Sequence, residues 1–174
     1  MLISAGVGVS PWTVFAEGLT NVTSWSLGFA TFVISASVLF LWIPLRQTPG
    51  VGTILNAIII ALVLEYVLPL LPVFQGFITN ALLALLGVLV TGCGGAIYLI
   101  ANLGPGPRDG LMTGLQAITH QPIALVRTCL EVLVVAIGWA LGGTLGLGTI
   151  FFALGIGPAT AIGMQILQLR SNVH

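Results

Sequence analysis

Two charged pairs stand out in a chain with almost no charge. Glu131 follows Arg127 by four residues, so on a helix the two share one face. Both fall inside a long apolar run that begins near residue 123. At 1.5 Å per residue, Glu131 lies about 12 Å along that helix, near the middle of a ~30 Å hydrocarbon layer. A carboxylate at that depth costs at least ~2.5 kcal/mol on insertion scales and usually faces a partner or a water-filled path. The pair reads either as a structural lock on its helix or as a site for a solute or a proton. Arg108 and Asp109 are the second pair, at the start of a short helix. Asp109 suits the helix dipole there, and Arg108 suits the headgroup layer. Together with the helix N-terminus, Arg108 could also form a mouth that favours anions. Asn56 and Asn102 are candidates to line the same path, or to bond a neighbouring helix through their amides.

Other polar residues read more plainly. Glu17 and Glu65 are expected near the outer headgroups, and His120 closes the short helix near the inner face. Trp12, Trp25, Trp42 and Trp139 all fall near the ends of expected spans, as an aromatic belt. Cys93 and Cys129 read as buried small hydrophobes without metal-ligand spacing. Serine, histidine and carboxylate never combine into a catalytic arrangement, and no metal-binding pair such as His-x-x-x-His occurs. The expectation is therefore a protein that is not an enzyme and needs neither cofactor nor metal.

Composition sets the solvent. Of 174 residues, 57% are hydrophobic and 5% are charged, against about 25% charged in a soluble domain. Several runs pass the ~18 residues needed to span a bilayer. The formal net charge is zero, so nothing draws the chain to nucleic acid. The expected fold is an all-α, polytopic membrane helix bundle in one membrane domain, residues 1–174. Five spans are expected, over residues 27–43, 53–68, 77–100, 123–141 and 149–169. Two short re-entrant or interfacial helices accompany them. One starts at Pro11 behind Ser10 and runs to about Thr20, before a polar loop over residues 21–24. The other follows Gly104-Pro105-Gly106-Pro107, which breaks the chain and restarts it with proline at the first helical position.

The two halves repeat. A shift of about 96 residues aligns Gly8 with Gly104, Pro11 with Pro107 and Gly18-Leu19 with Gly114-Leu115. It also aligns Thr48-x-Gly50-x-Gly52-Thr53-Ile54 with Thr144-x-Gly146-x-Gly148-Thr149-Ile150. Repeat 1 covers about residues 1–72 and repeat 2 about residues 77–172. Repeat 2 opens with a full span and repeat 1 does not, so the first helix is expected either upstream of Met1 or lost. In the second case a second copy of the chain or a partner membrane subunit should cover the bare face. The four arginines, Arg46, Arg108, Arg127 and Arg170, fall on one side if the turn at Arg46 is cytoplasmic. That orientation puts the N-terminus outside and the C-terminus inside. With three crossings per complete repeat, the copies are inverted.

At these residues the chain resembles the YczE/YitT-like family of bacterial integral membrane proteins. The segments that carry the resemblance are Pro11-Trp12, Leu45-Arg46-Gln47-x-Pro49-Gly50-x-Gly52-Thr53, Gly104-x-Gly106-Pro107-Arg108-Asp109-Gly110-Leu111-Met112-Thr113, Arg127-x-x-x-Glu131 and Gly142-Gly143-x-x-Gly146-x-Gly148-Thr149. The resemblance implies a multi-pass protein of the cell membrane, and its members usually begin with one more helix. Inverted repeats with broken segments near a central carboxylate are a transporter's design. The leading expectation is thus a permease, secondary transporter or pore for a small solute. The alternative is a non-transporting assembly partner, or a substrate-binding subunit of a larger transporter.

Overall fold

The computed structural model describes residue 3 and residues 8–72 and 76–171, with no side-chain detail for Phe77 or residues 167–171. Met1, most of the residues before Gly8, and the side chain of Arg170 lie outside this description. All regular elements among the described residues are helical. They are α1 (Pro11–Thr23), α2 (Leu27–Trp42), α3 (Val51–Leu62), α4 (Phe77–Ala101), α5 (Pro107–Thr119), α6 (Ile123–Ala140) and α7 (Leu147–Ser171). A π-helical turn, Val63–Val67, and a 3-10 turn, Leu68–Leu70, prolong α3.

Local chemistry explains the boundaries. Pro11 and Pro107 open α1 and α5, where a missing N–H loses no bond. Ser26 caps α2, its hydroxyl accepting the Phe29 N–H at 3.2 Å. Asn102 and His120 end α4 and α5 in the left-handed conformation that closes a helix C-terminus, with φ of 50° and 54°. The polar loop expected over residues 21–24 is shorter than its composition suggests, because α1 continues through Thr23. The Thr20 and Thr23 hydroxyls bond back to the carbonyls of Glu17 and Leu19, so they need no water to satisfy them.

Among the described residues, four helical segments are long and apolar enough to cross a membrane: Val51–Leu70, Ile78–Ala101, Ile123–Ala140 and Leu147–Ile166. A fifth arises if α1 and α2, bent by 113° at their junction, count as one. Helix α2 alone has 16 residues, about 24 Å, and is shorter than the hydrocarbon layer. Large apolar side chains such as Phe40, Ile78 and Leu154 point outward from all of these helices. That outward face suits lipid, not water.

The chain divides into two compact units. One contains residues 8–10, α4 and α7. There Val88 packs with Phe152, Ile156 and Ala159, and Gly92 brings the α4 backbone against Ala159. In the same unit Gly8, at φ 112°, sits on the start of α7. A Cβ on Gly8 would fall within 2.9 Å of Gly146 Cα, Gly146 N and Thr149 Oγ1.

The other unit holds Pro11–Leu70 and Leu103–Thr144. Helix α2 turns one stripe inward, Ala30, Ile34, Val38 and Trp42, at four-residue spacing. Against it pack Ala16 and Leu111. Trp42 is 1% exposed, and its indole N–H donates to the Pro107 carbonyl at 3.0 Å. It is therefore a core residue and not part of an interfacial belt. Gly110 leaves the space that its ring fills. The cysteines also depart from expectation. Cys93 and Cys129 are both exposed, because each faces away from the packed side of its helix.

Candidate functional site

The break before α5 is built by backbone satisfaction. Three of its carbonyls are claimed by α2 and α3. The Leu103 carbonyl accepts from Gly52 N–H at 2.8 Å, Pro105 accepts from the Thr53 hydroxyl at 2.6 Å, and Pro107 accepts from Trp42. Thr53 also takes the Gly50 N–H at 3.1 Å, so one buried hydroxyl ties the start of α3 to the break. These bonds satisfy the backbone groups that the break leaves outside a helix. Gly104, at φ 108°, makes the approach possible. A Cβ there would fall within 3.0 Å of Gly50 Cα, Gly50 N and Thr53 Oγ1.

Three of the polar candidates meet at this break. A Cβ on Gly106 would lie 3.3 Å from Asp109 Oδ2 and 3.5 Å from Asn56 Oδ1, so both side chains converge on the N-terminus of α5. Arg108 Nε lies 3.7 Å from Asp109 Oδ1, and both side chains keep contact with the surroundings, at 28% and 44% exposure. The arginine charge is thus matched locally, which weakens the anion-favouring mouth expected from sequence.

Arg127 and Glu131 form the second group, on α6. Arg127 Nε donates to Glu131 Oε1 at 3.2 Å, with Glu131 the more enclosed partner at 12% exposure. Asn102 stands apart as the exposed cap of α4.

Two carboxylates carry more than sequence suggested. Glu17 Oε2 accepts the Thr144 N–H at 2.9 Å, and Asn21 donates to the Gly142 carbonyl at 2.8 Å. Both tie α1 to the turn after α6. Glu65 sits in the π turn with one carboxylate oxygen buried and, among the described residues, without a hydrogen-bond partner. The signal for Glu65 was present, a lone carboxylate in an apolar run. The widened turn that holds it has no sequence signature.

A family of unknown function, DUF6198, matches residues 1–165 of this chain. An "Uncharacterized protein" of Haemophilus influenzae is 39% identical over 173 residues, 99% of this chain and 79% of its own length. The "Uncharacterized membrane protein YczE" of Bacillus subtilis is 30% identical over 153 residues, 85% of this chain and 69% of its own. No solved structure matches.

Proposed function

Since the chain belongs to the DUF6198 family and is a multi-pass membrane protein, we propose that it is a permease or pore for a small solute, built from two inverted repeats. One observation carries the reading. The break at Gly104 rests on Gly50 and Thr53, while the break at Gly8 rests on Gly146 and Thr149, atom for atom. Each half therefore lends its glycine-threonine helix start to the other half's break. An exchange of that kind is what two copies related by a two-fold axis produce. The left-handed residues support it as well. Ser24 and His120, Arg46 and Gly142, and Gly8 and Gly104 all have positive φ and are all about 96 residues apart.

In this reading α1 and α5 are short helices that re-enter without crossing, and their N-termini flank the solute path. Asn56, Arg108 and Asp109 offer donors and acceptors there. Arg127 and Glu131 form the charged pair of the adjoining span. Both arginines in this set have acid partners, so the class of solute is neutral or zwitterionic. The role is transport and not catalysis.

Proteoliposomes test the proposal. Full-length protein is expected to admit at least one neutral or zwitterionic solute, from a panel of radiolabelled amino acids, nucleosides and polyols, faster than empty vesicles and with saturation. If none moves and a fixed membrane subunit co-purifies, the assembly-partner reading replaces this one.

The proposed orientation places the turn at Arg46 inside and the turn at Gly143 outside. Gly143 itself packs on Val14, so a cysteine there would clash. Leu145, 42% exposed, is the better reporter. In intact cells, Leu145→Cys should react with an impermeant maleimide and Thr48→Cys should not. The reverse pattern sinks the orientation.

A further inference from the structure

The chain has four acidic side chains, and three of them have a donor or a cation in reach. Glu17 takes the Thr144 N–H, Asp109 lies beside Arg108, and Glu131 pairs with Arg127. Glu65 is the exception. Its Oε2 is buried and has no hydrogen-bond partner among the described residues. The residue lies about 20 Å from the start of the Val51–Leu70 span, inside the hydrocarbon layer by length. An unpaired charge in such surroundings is costly, and intramembrane carboxyls commonly mark proton paths.

The surroundings of Glu65 look made for a carboxyl without a counter-ion. Gly28 of α2 faces it. A Cβ on Gly28 would lie 2.6 Å from Glu65 Oε2 and 2.8 Å from Glu65 Cβ, so the glycine is what leaves room for the acid. The helices packed on this turn, Leu27–Trp42 and Val51–Leu62, contain no charged or titratable residue. The other titratable group in the turn, Tyr66, is 68% exposed. The turn itself is π-helical, a distortion that recurs at functional sites because it re-aims side chains.

We propose that Glu65 is a proton-binding carboxyl that gives the transporter its coupling ion. The proton is held at the enclosed Oε2, against Gly28. When water reaches the group, it releases H⁺ and becomes a carboxylate, and the reverse step takes one proton back. No other reactant is needed. A metal cation is disfavoured because the facing residue offers no side-chain oxygen. No trio of acidic, histidine or cysteine side chains is placed to hold one among the described residues. The coupling role rests on the transport reading, whereas proton binding itself does not.

Dicyclohexylcarbodiimide tests the site on full-length protein in detergent. A protonated carboxyl adds across its C=N bond and rearranges to a stable N-acylurea, which mass spectrometry locates. Glu65 is expected to carry the adduct, with labelling falling at least about tenfold between about pH 5 and about pH 9. Glu131, ion-paired with Arg127 at 3.2 Å, is expected to label less than Glu65 at the lower pH. Glu65→Gln, a neutral replacement of the same size, should fold normally and show no adduct. An unlabelled Glu65 overturns the proposal. So does labelling that ignores pH, or that sodium chloride blocks at constant pH, since that would mark a cation site. Labelled Glu65 in a protein that moves no solute would leave the proton site standing and remove the transport reading alone.

Discussion

Replacing Gly104 with alanine is expected to cost about 3 kcal/mol or more, among the largest single-site losses in the chain. Two effects add. The backbone there has φ 108°, which a residue with a Cβ adopts only under strain of about 1–3 kcal/mol. The Cβ would also fall 2.8 Å from Gly50 Cα and Thr53 Oγ1. One is backbone and the other a hydroxyl already bonded on both sides, so neither can yield cheaply. Gly8→Ala meets the equivalent atoms of Gly146 and Thr149 and should behave alike. Gly94→Ala is the control, since nothing lies within 4 Å of a Cβ at that position. Within a helix that change should be neutral or stabilise by about 0.5–1 kcal/mol. Thermal unfolding of the three variants in one detergent decides the matter. Equal midpoints for Gly104→Ala and Gly94→Ala would show that the break is not seated as described.

The second large effect belongs to Arg127 and Glu131. Breaking a fully buried pair typically costs about 3–5 kcal/mol, and this partly buried one is expected to approach that range from below. Glu131 is the more enclosed partner, so Arg127→Met, which strands the carboxylate, should be more damaging than Glu131→Gln. The double variant should regain stability, because two neutral side chains need no compensation. Under the transport reading proposed above, flux divides the two roles. With a structural lock, the double variant transports normally. With a solute or proton role, it folds and does not transport, and this is the expected result. A stable double variant with full flux would reduce the pair to packing.

Much of this architecture was legible because membrane helices announce themselves by apolar length, and their ends by proline, glycine and asparagine. The α5 start at Pro107 and the helix ends near Asn102 and His120 are of this kind. So is the Arg127–Glu131 pair, since four-residue spacing on one helix leaves little choice of partner. What could not be read depends on chain segments far apart in sequence. Trp42 looked interfacial from its place near a span end. Its burial follows from Gly110, many residues later, which leaves space for the ring. The same holds for Glu17, whose acceptor role is fixed by a turn at Thr144. Asn56 and Asp109 were both visible as candidates, but their convergence on Gly106 required the fold of the break. The π turn at Val63–Val67 was invisible for another reason. It is a local change of winding that apolar residues neither favour nor forbid.

The long-range ties of the first three helices bear on how the chain is made. Trp42 finds its Pro107 acceptor 65 residues downstream, and Thr53 finds Pro105 after 52. Glu17 must wait 127 residues for Thr144, and Asn21 121 for Gly142. At roughly 5–20 residues per second, that wait lasts on the order of ten seconds. Throughout it the first short helix exists without its final partner, while the second is received by helices already in place. The ribosome therefore treats two similar halves unequally. The early helix is the one that an insertase or membrane chaperone has most time to meet, and premature termination before residue 142 would leave it without its hydrogen bonds to Gly142 and Thr144.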